Sequence, residues 1–325
     1  MPSQAAFVRA GALGDVLLGL PALSALRRRH PELKVIVVAP MPQAQLALWG
    51  GVAQEVSDFG SDALAPLFAG GPLPSFLAGV DIAVVWLRSA DEVVGAFRAG
   101  GTRTCIASPP FPPAGRSEHV AEWLAKTLQP LGVTLDSGWD DAPWLEVPQE
   151  GRARTRQWKS TVLGTRGYVV LHAGSGSARK NWPVEHWAAV AGHVLEQPHL
   201  GLIVLCGPAD DGISRQLAVV LDSRDMRGRV ALASGLDLEV LAGLLAGADL
   251  FLGNDSGVTH LAAAVGAPVV GVFGPTDPHV WRPRGPRVRV LGGAPASGRD
   301  GIFAAAPRWP ALHEVLAAAQ SWLAS

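Results

Sequence analysis

The stretch that decides the fold runs from residue 253 to residue 278 and reads GNDSGVTHLAAAVGAPVVGVFGPTDP. It continues the apolar run DLFLG (249–253), and it contains a helix-like segment (258–266) followed by a second apolar run, APVVGVF (267–273). Two short apolar runs separated by one helix are typical of strands in a parallel sheet that is covered on both faces. Polar residues cluster between the first strand and the helix, where burial without partners would cost free energy. These residues must bond either the backbone of their own turn or a ligand.

The same alternation of strand and helix runs through the whole chain in two halves. In the first half we predict strands at AAFVRA, KVIVVAP, EVSDFG and VDIAVVWL, with helices that include 15–31 and 119–132. In the second half the strands GYVVLHAG, LGLIVLCGP and RVALAS alternate with helices at 183–197, 211–221 and 237–248. This pattern predicts an α/β protein made of two doubly wound parallel-sheet domains.

The domain boundaries follow from the same pattern. We place the domains at 1–150 and 151–325, with a linker near 136–160 that is rich in proline and charge and lacks a clear period. Doubly wound domains bind ligands at the carboxyl ends of their strands, so two of them would face a central cleft. The last helix, about 311–323, has its apolar residues along one face and could pack on either domain, including back on the N-terminal one.

The composition limits the class of protein. With 325 residues, 48% of them hydrophobic, the chain can bury two cores and does not resemble a disordered sequence. No run reaches about 18 consecutive apolar residues, so we expect no membrane-spanning helix. The start, MPSQAAFVRAGALGD, does not resemble a secretory signal. We therefore expect a cytoplasmic protein.

The net charge of −1 conceals an asymmetry between the two halves. Residues 1–150 carry 10 basic and 15 acidic residues, whereas residues 151–325 carry 17 and 13. No concentrated basic face of the kind that binds nucleic acid is present, so we expect no nucleic-acid partner. An anionic ligand would favour the second half. Cys105 and Cys206 lack a CxxC pattern, which argues against a zinc site or a disulfide.

The first glycine-rich loop, RAGALGDVLLGLP (9–21), follows the first predicted strand. Gly11 and Gly14 allow a tight turn and a close approach by a ligand. Asp15 opens a helix, where a carboxylate is favoured by the free N–H groups, so one interpretation is simply an N-cap residue. The spacing GxxGD is not the GxGxxG pattern of a dinucleotide site.

The second loop, HAGSGSARKNWPVEHW (172–187), combines hydrogen-bond donors with positive charge. Ser175, Gly176 and Ser177 present hydroxyl and N–H groups, and Arg179 and Lys180 add two cations ahead of a helix. This combination favours an anion site for phosphate, with a solvated basic turn as the alternative. The GxxxxGK[ST] spacing of a P-loop is absent.

The third loop is the polar cluster of the opening stretch. Asp255 or Ser256 can cap the following helix, and Gly257 allows a close approach. We expect His260 one turn along, on the exposed side of the helix, either as a ligand contact or as an ordinary surface residue. A ribose or sugar hydroxyl would suit Asp255, and the helix N–H groups would suit a pyrophosphate.

Together the three loops resemble the signature blocks of glycosyltransferase family 9, the ADP-heptose:lipopolysaccharide heptosyltransferases. The resemblance rests on GALGDVLLGLPALSAL, HAGSGSARKNWPVEHW and the opening stretch, which occur in this order along nearly the whole chain. It implies a GT-B fold, with the acceptor on the N-terminal Rossmann-like domain and the nucleotide-sugar on the C-terminal one. It also implies metal-independent transfer with inversion at the anomeric carbon, without a cofactor.

The resemblance also implies roles for individual residues. Asp15 would be the general base, and Lys180 would contact the diphosphate of the donor. Asp210 would lie near the donor nucleoside, although Asp211 fits that place as well. The turn that holds the donor would consist of Asp255, Ser256, Gly257 and His260.

The acceptor side is less defined by the sequence. Among the arginines of the first half, Arg88 and Arg116 could bind acceptor phosphates beside Gly11 and Gly14, or they could be solvated surface. The basic run RPRGPRVRV (282–290) could line the donor side or contact an acidic membrane surface, but such runs are more often exposed strand edges. The acceptor could be a lipopolysaccharide-core glycolipid or another glycan, and the donor could be a nucleotide-sugar other than ADP-heptose. A glycolipid would bring the chain to the cytoplasmic face of the inner membrane as a peripheral protein.

Three rival functions are weighed against sugar transfer. A nicotinamide oxidoreductase would need GxGxxG after its first strand, which is absent. A sugar-nucleotide 2-epimerase would share the two-domain layout and the donor chemistry, but it would need more acid/base carboxylates and no acceptor. A non-catalytic nucleotide-sugar-binding protein would not need Asp15 as a base. We therefore expect an inverting glycosyltransferase that moves a sugar, heptose from ADP-heptose, to a hydroxyl of a glycan acceptor.

Overall fold

The computed structural model describes residues 4–135, 144–207, 212–213, 216–217, 228–297 and 302–324. The chain divides into two compact units, an N-terminal unit of residues 1–139 and a C-terminal unit of residues 140–325. Each unit contains one parallel sheet with helices between its strands, so the predicted α/β class with two doubly wound sheets is confirmed.

The N-terminal unit is built on a parallel sheet in the order β3-β2-β1-β4-β5. Its described strands are β1 (Gln4–Arg9), β2 (Lys34–Ala39), β3 (Glu55–Asp58), β4 (Ile82–Trp86) and β5 (Thr104–Ser108). Its described helices are α1 (Leu13–Arg29), α2 (Leu46–Trp49), α3 (Ala65–Phe68), α4 (Asp91–Ala99) and α5 (Val120–Thr127). The central strand β1 is buried from its second residue to its last, because helices cover both faces of the sheet.

The C-terminal unit is built on a parallel sheet in the order β11-β10-β9-β6-β7-β8. Its described strands are β6 (Gly167–His172), β7 (Leu200–Cys206), β8 (Val230–Ser234), β9 (Leu250–Asn254), β10 (Val269–Phe273) and β11 (Val288–Gly292). Its described helices are α6 (Gln149–Leu163), α7 (Val184–Leu195), α8 (Leu238–Ala246), α9 (Gly257–Ala264), α10 (Pro278–Trp281) and α11 (Leu312–Leu323). Most of the helix predicted at 211–221 lies outside the described residues.

The predicted linker at 136–160 is wrong over its second part, where α6 forms. Only Gly151, Thr155 and Leu163 of this helix are buried, so it has no apolar stripe for the sequence to reveal. It packs on α8 through small residues instead. The two helices are so close at Gly151 that an added Cβ would lie 2.8 Å from the Cβ of Glu239, which is too short for a normal contact. The Thr155 hydroxyl lies 3.1 Å from the carbonyl oxygen of Val240 and joins the two helices.

The last helix packs on the C-terminal unit. Val315, Ala318 and Ala319 are fully buried in its core, where α11 contacts α7, β9, β10 and β11. The sequence allowed this helix to pack on either domain, and in the structure it packs on the C-terminal unit. Among the described helices, none is both long and apolar enough to span a membrane.

Candidate functional site

The three predicted loops all follow the carboxyl ends of strands, but they belong to two different sheets. In the C-terminal unit, β6, β9 and β10 are neighbours, so the loops after them meet at one edge of the sheet. In the N-terminal unit, the loops after β1, β4 and β5 meet in the same way. We call these the C-terminal site and the N-terminal site and describe each by itself.

An ion pair forms the centre of the C-terminal site. The Lys180 ammonium lies 3.1 Å from Oδ2 of Asp255 and 3.3 Å from the carbonyl oxygen of the same residue. Thr276, which follows β10, donates its hydroxyl to the same Oδ2 at 2.8 Å. Asp255 is buried, whereas the Lys180 side chain keeps 21% of its surface exposed. The pair therefore holds a cation, still open to solvent, at the edge of the sheet.

The side chain of Ser256 is the N-cap of α9. Its Oγ accepts the N–H of Thr259 at 3.4 Å and lies 3.2 Å from Nδ1 of the buried His172. The hydroxyl is therefore used within the protein, as expected for a cap. Gly257 is the first residue of the helix. The N-terminus of α9 with its partial positive charge thus begins beside the Lys180–Asp255 pair.

The prediction that His260 lies on the exposed side of the helix is wrong. His260 is buried, with 6% of its surface exposed, and so is every residue of α9 from Thr259 to Ala264. The helix contacts α8, β9 and β10, which leaves it no solvent face beyond its first turn. A helix that is apolar on all sides gives no periodicity from which an exposed side could be read.

Internal hydrogen bonds shape the loop after β6. The Ser175 hydroxyl is buried, and it lies 2.6 Å from the carbonyl oxygen of Ser177 and 2.7 Å from Oδ1 of Asn181. Gly176 is exposed, and a Cβ added there would meet nothing within 4 Å. Ser175 thus supports the loop from within, while Gly176 and the half-buried Ser177 lie on its outer side.

Two residues that sequence reasoning missed contact this loop, and the first of them joins it to the sheet. Asn254, at the end of β9, donates its Nδ2 to the carbonyl oxygen of Ala173 at 2.6 Å and accepts the N–H of Trp182 at 3.1 Å. Phe303 lies under the guanidinium of Arg179, 4.3 Å from the ring centre. Asn254 stands inside the opening stretch, where its place between strand and helix could have pointed to it.

Asp210 and its alternative Asp211, predicted to lie near the donor nucleoside, are outside the described residues.

Asp15 is the carboxylate of the N-terminal site, but it is not the N-cap that the sequence suggested. The helix α1 begins at Leu13, so Asp15 is its third residue, and its Oδ2 accepts the N–H of Ala12 at 2.8 Å. Gly11 has φ +119, and a Cβ there would lie 2.5 Å from Oδ2 of Asp15. Glycine is therefore required for the turn to pass under the carboxylate. Gly14 is the second residue of the helix.

Arg9, the last residue of β1, was missed by sequence reasoning. Its side chain is buried, with Nε 3.2 Å from the carbonyl oxygen of Asp15 and Nη1 2.7 Å from that of Pro110. Nη2 lies 3.7 Å from Oδ1 of Asp15. Burial lowers the pKa of Arg9 to about 10, although the charge of Asp15 opposes this shift. Its only signal in the sequence is a single charge that ends an otherwise apolar run.

The two predicted acceptor arginines each lie over an aromatic ring. The guanidinium of Arg88, after β4, is 4.4 Å from the ring centre of Phe111, and that of Arg116 is 5.8 Å from Trp123. Trp123 donates its indole N–H to the carbonyl oxygen of Pro109 at 3.0 Å, in the loop that also receives Arg9. Both arginines are exposed. They are therefore held by stacking at the edge of the sheet that carries Asp15.

The basic run 282–290 leads into β11, which is the edge strand of its sheet. Arg287 donates its Nε to the carbonyl oxygen of Gly266 at 3.1 Å, so at least this arginine serves the fold. Residues 288–290 of the run belong to this edge strand, and Arg289 is exposed there. Within the described part of the chain, no three His, Cys, Asp or Glu side chains are placed to hold a metal ion.

Comparison with known proteins shows where this architecture occurs. A sequence profile of glycosyltransferase family 9 (heptosyltransferase) matches residues 98–299. Lipopolysaccharide heptosyltransferase 1 of Escherichia coli K12 is 32% identical over 297 residues, which cover 83% of this chain and 88% of the relative. The match to lipopolysaccharide heptosyltransferase 3 of the same strain, 29% identical, spans only 51% of this chain and 46% of that relative.

The fold agrees with the family. The solved structure of the E. coli ADP-heptose lipopolysaccharide heptosyltransferase II superposes with a TM-score of 0.76 at 17% identity, covering 99% of this chain and 98% of the other. The two parallel-sheet units are thus those of the GT-B fold that the sequence predicted. From the profile match and the relative that is aligned over most of its length, the chain belongs to glycosyltransferase family 9, the heptosyltransferase family.

Proposed function

We propose that the chain is an inverting, metal-independent glycosyltransferase that moves a sugar, heptose from ADP-heptose, to a hydroxyl of a lipopolysaccharide-core-like acceptor. The observation that carries the proposal is the Lys180–Asp255 pair at the N-terminus of α9, because it fixes a cation at the end of a parallel sheet. Nucleotides bind at this edge of doubly wound sheets. The E. coli relatives are heptosyltransferases, one of them an ADP-heptose enzyme.

The donor would bind to the C-terminal unit. Lys180 has three N–H donors, so it can hold Asp255 and still donate to a diphosphate oxygen. The N-terminus of α9, at Ser256 and Gly257, would face the same oxygens with its partial positive charge. As the bond between the anomeric carbon and the diphosphate oxygen breaks, these groups would stabilise the negative charge that develops on the leaving group. They supply the charge that a divalent metal would otherwise supply.

The acceptor would bind to the N-terminal unit beside Asp15. Oδ2 of this carboxylate accepts the Ala12 N–H, while 32% of the side chain remains exposed. The carboxylate would take the proton of the acceptor hydroxyl as its oxygen attacks the anomeric carbon from the side opposite the diphosphate. Inversion follows from this single displacement. Arg88 and Arg116, stacked on their rings, would bind anionic groups of the acceptor.

Family membership favours transfer over the rival functions. A sugar-nucleotide 2-epimerase uses the same kind of donor but needs no base for an acceptor hydroxyl, and a binding protein needs no base at all. The Asp15 carboxylate accepts the Ala12 N–H above a glycine turn, and the main-chain carbonyl of Asp15 accepts Nε of Arg9, an arrangement that suits a reacting group. A glycolipid acceptor would place the reaction at the cytoplasmic face of the inner membrane, with the chain as a peripheral protein.

The proposal is tested by the variant Asp15→Asn. Asparagine preserves size and can keep the contact with Ala12, but it cannot take a proton. We expect transfer from ADP-heptose to fall by at least about a hundredfold, in the range of general-base catalysis, while the affinity for ADP stays within a few-fold. The measurement is steady-state turnover beside ADP calorimetry. Asp62→Asn, an exposed acid near α3, is the matched control. Unchanged turnover in Asp15→Asn would remove Asp15 as the base.

A further inference from the structure

Arg9 is buried beside the proposed base, although nothing in the packing of β1 requires a charge there. Only 3% of its surface is exposed, and the five strand residues before it are all of apolar or amide type. Burying a guanidinium costs free energy unless its N–H groups are bonded and its charge is compensated. Methionine or leucine could be buried at this position at a lower free-energy cost, so the presence of an arginine needs an explanation.

The contacts of the guanidinium all lead toward Asp15 or the loop next to it. Nε donates to the main-chain carbonyl of Asp15, and Nη1 donates to the carbonyl of Pro110, in the loop that follows β5. Nη2 is buried and has no hydrogen-bond partner within the described parts of the chain. It faces Oδ1 of Asp15 at 3.7 Å, which is beyond hydrogen-bond length but within the distance of an ion pair.

The two oxygens of the Asp15 carboxylate therefore have different contacts. Oδ2 accepts the Ala12 N–H at 2.8 Å, above the glycine turn. Among the residues that the structure describes, none donates an N–H to Oδ1, which faces the cation of Arg9 from 3.7 Å. An oxygen without a hydrogen bond retains its lone pairs for an incoming proton.

We infer that Arg9 is a positioning residue for the transfer reaction: through its bond to the main-chain carbonyl of Asp15 and the guanidinium that faces Oδ1, it holds the carboxylate in place with that oxygen available to take a proton. The inference rests on the proposed role of Asp15 as the base. Arg9 itself does not touch the substrates. Because Nη1 also holds the Pro110 carbonyl, the same side chain ties the loop after β5 to the carboxylate.

A purely structural role makes a different prediction. If Arg9 only filled space and held the Pro110 loop, its replacement would lower stability and disturb both substrates, but the effect would not depend on the charge of Asp15. If Arg9 acts through Asp15, replacing it by methionine lowers kcat, and lysine at the same position restores part of the activity. Replacing Arg9 in a protein that already carries the neutral Asp15→Asn change then lowers kcat no further.

The experiment compares Arg9→Met and Arg9→Lys with Arg103→Met as the matched control. Arg103 pairs with Asp81 at the opposite, amino end of the sheet, with 79% of its side chain exposed. For Arg9→Met we expect kcat to fall between about tenfold and a hundredfold, the range for a misplaced catalytic group. KM for ADP-heptose and the calorimetric affinity for ADP should stay within twofold. Arg9→Lys should recover part of kcat, and Arg103→Met should match wild type.

The decisive arm adds Arg9→Met to Asp15→Asn and measures residual turnover at high enzyme concentration. We expect no further loss beyond twofold. The inference would be overturned if Arg9→Met lowered kcat equally in wild type and in Asp15→Asn. It would also be overturned if kcat of the single variant Arg9→Met stayed within twofold of wild type. In both cases Asp15 would remain the base. Full activity of Asp15→Asn would instead overturn the proposed function. Should Arg9→Met fail to fold by thermal melting, Arg9→Lys decides: its kcat must fall while ADP affinity is kept.

Discussion

At the scale of single residues, the site depends on charges that are held by the protein before any substrate arrives. Asp255 is almost fully buried, so its carboxylate needs both Lys180 and the Thr276 hydroxyl as partners. Lys180 in turn is bonded to this buried carboxylate, which lowers the entropy lost when an anion binds. A cation fixed in this way is better suited to a leaving diphosphate than a mobile surface lysine.

The first prediction at this scale concerns Lys180→Ala. In the proposed donor site, removing the ammonium takes away the charged hydrogen-bond donor for the diphosphate and leaves Asp255 without its cation, so ADP affinity should fall by about 1.5–3 kcal/mol. Calorimetry with ADP measures this loss. Lys159→Ala is the control in the same unit, because Lys159 lies over the Tyr168 ring instead. Equal ADP affinity in wild type and Lys180→Ala would remove Lys180 from the donor site.

Residues of the site could be predicted where a local pattern carried them. Lys180, Asp255 and Ser256 stood out because glycine and polar residues interrupted an apolar run at a strand end. Arg9 did not, because a single charge at the end of a strand looks like ordinary strand termination until the contact with Asp15 is seen. His260 was assigned to the wrong side because the burial of α9 depends on its neighbours α8, β9 and β10.

At the scale of elements, buried central strands such as β1 and β9 were predicted because they are short apolar runs. Strand β5 was missed, because its residues are only partly buried and form no such run. The helix α6 was missed for a different reason: its contact with α8 is made by backbone and small side chains, and its charged residues hide the period. Thr155, whose hydroxyl lies 2.8 Å from the Gly151 carbonyl oxygen and 3.1 Å from that of Val240, lies at the crossing. Close helix pairs of this kind leave almost no hydrophobic signal in a single sequence.

The crossing of α6 and α8 is tested by Gly243→Ala. A Cβ at this position would overlap the Thr155 hydroxyl and lie 3.1 Å from the Cβ of Thr155. The helices would have to separate, so we expect the free energy of unfolding to fall by about 1–3 kcal/mol, the usual cost of overpacking. Urea unfolding followed by circular dichroism measures the change.

The control for that variant is Gly95→Ala in α4, an exposed helix position where an added Cβ meets nothing within 4 Å. Because alanine has the better helix propensity, this change should stabilise the N-terminal unit by about 0.5–1 kcal/mol. A Gly243→Ala protein as stable as wild type would show that α6 does not pack on α8 through these residues.

At the scale of the whole molecule, the chain consists of two parallel-sheet units, each with its own polar site at the carboxyl ends of its strands. The excess of basic residues in the second half agrees with an anionic donor there, and the acidic first half carries the carboxylate that we propose as the base. Overall architecture was predictable because alternating strands and helices leave few topologies. The acceptor was not, since exposed arginines such as Arg88 and Arg116 do not specify one anion.

The most direct test of the central claim is a calorimetric titration of the full chain with ADP, UDP and GDP, each with and without magnesium, beside the Lys180→Ala variant. The account predicts that ADP binds in the absence of magnesium and that the Lys180→Ala variant loses ADP affinity. It also predicts that UDP and GDP bind at least about tenfold more weakly than ADP, a difference of about 1.4 kcal/mol in binding free energy. Tighter binding of UDP or GDP, or binding of ADP only with magnesium, would contradict the claim that this chain is a metal-independent transferase with an ADP-sugar donor.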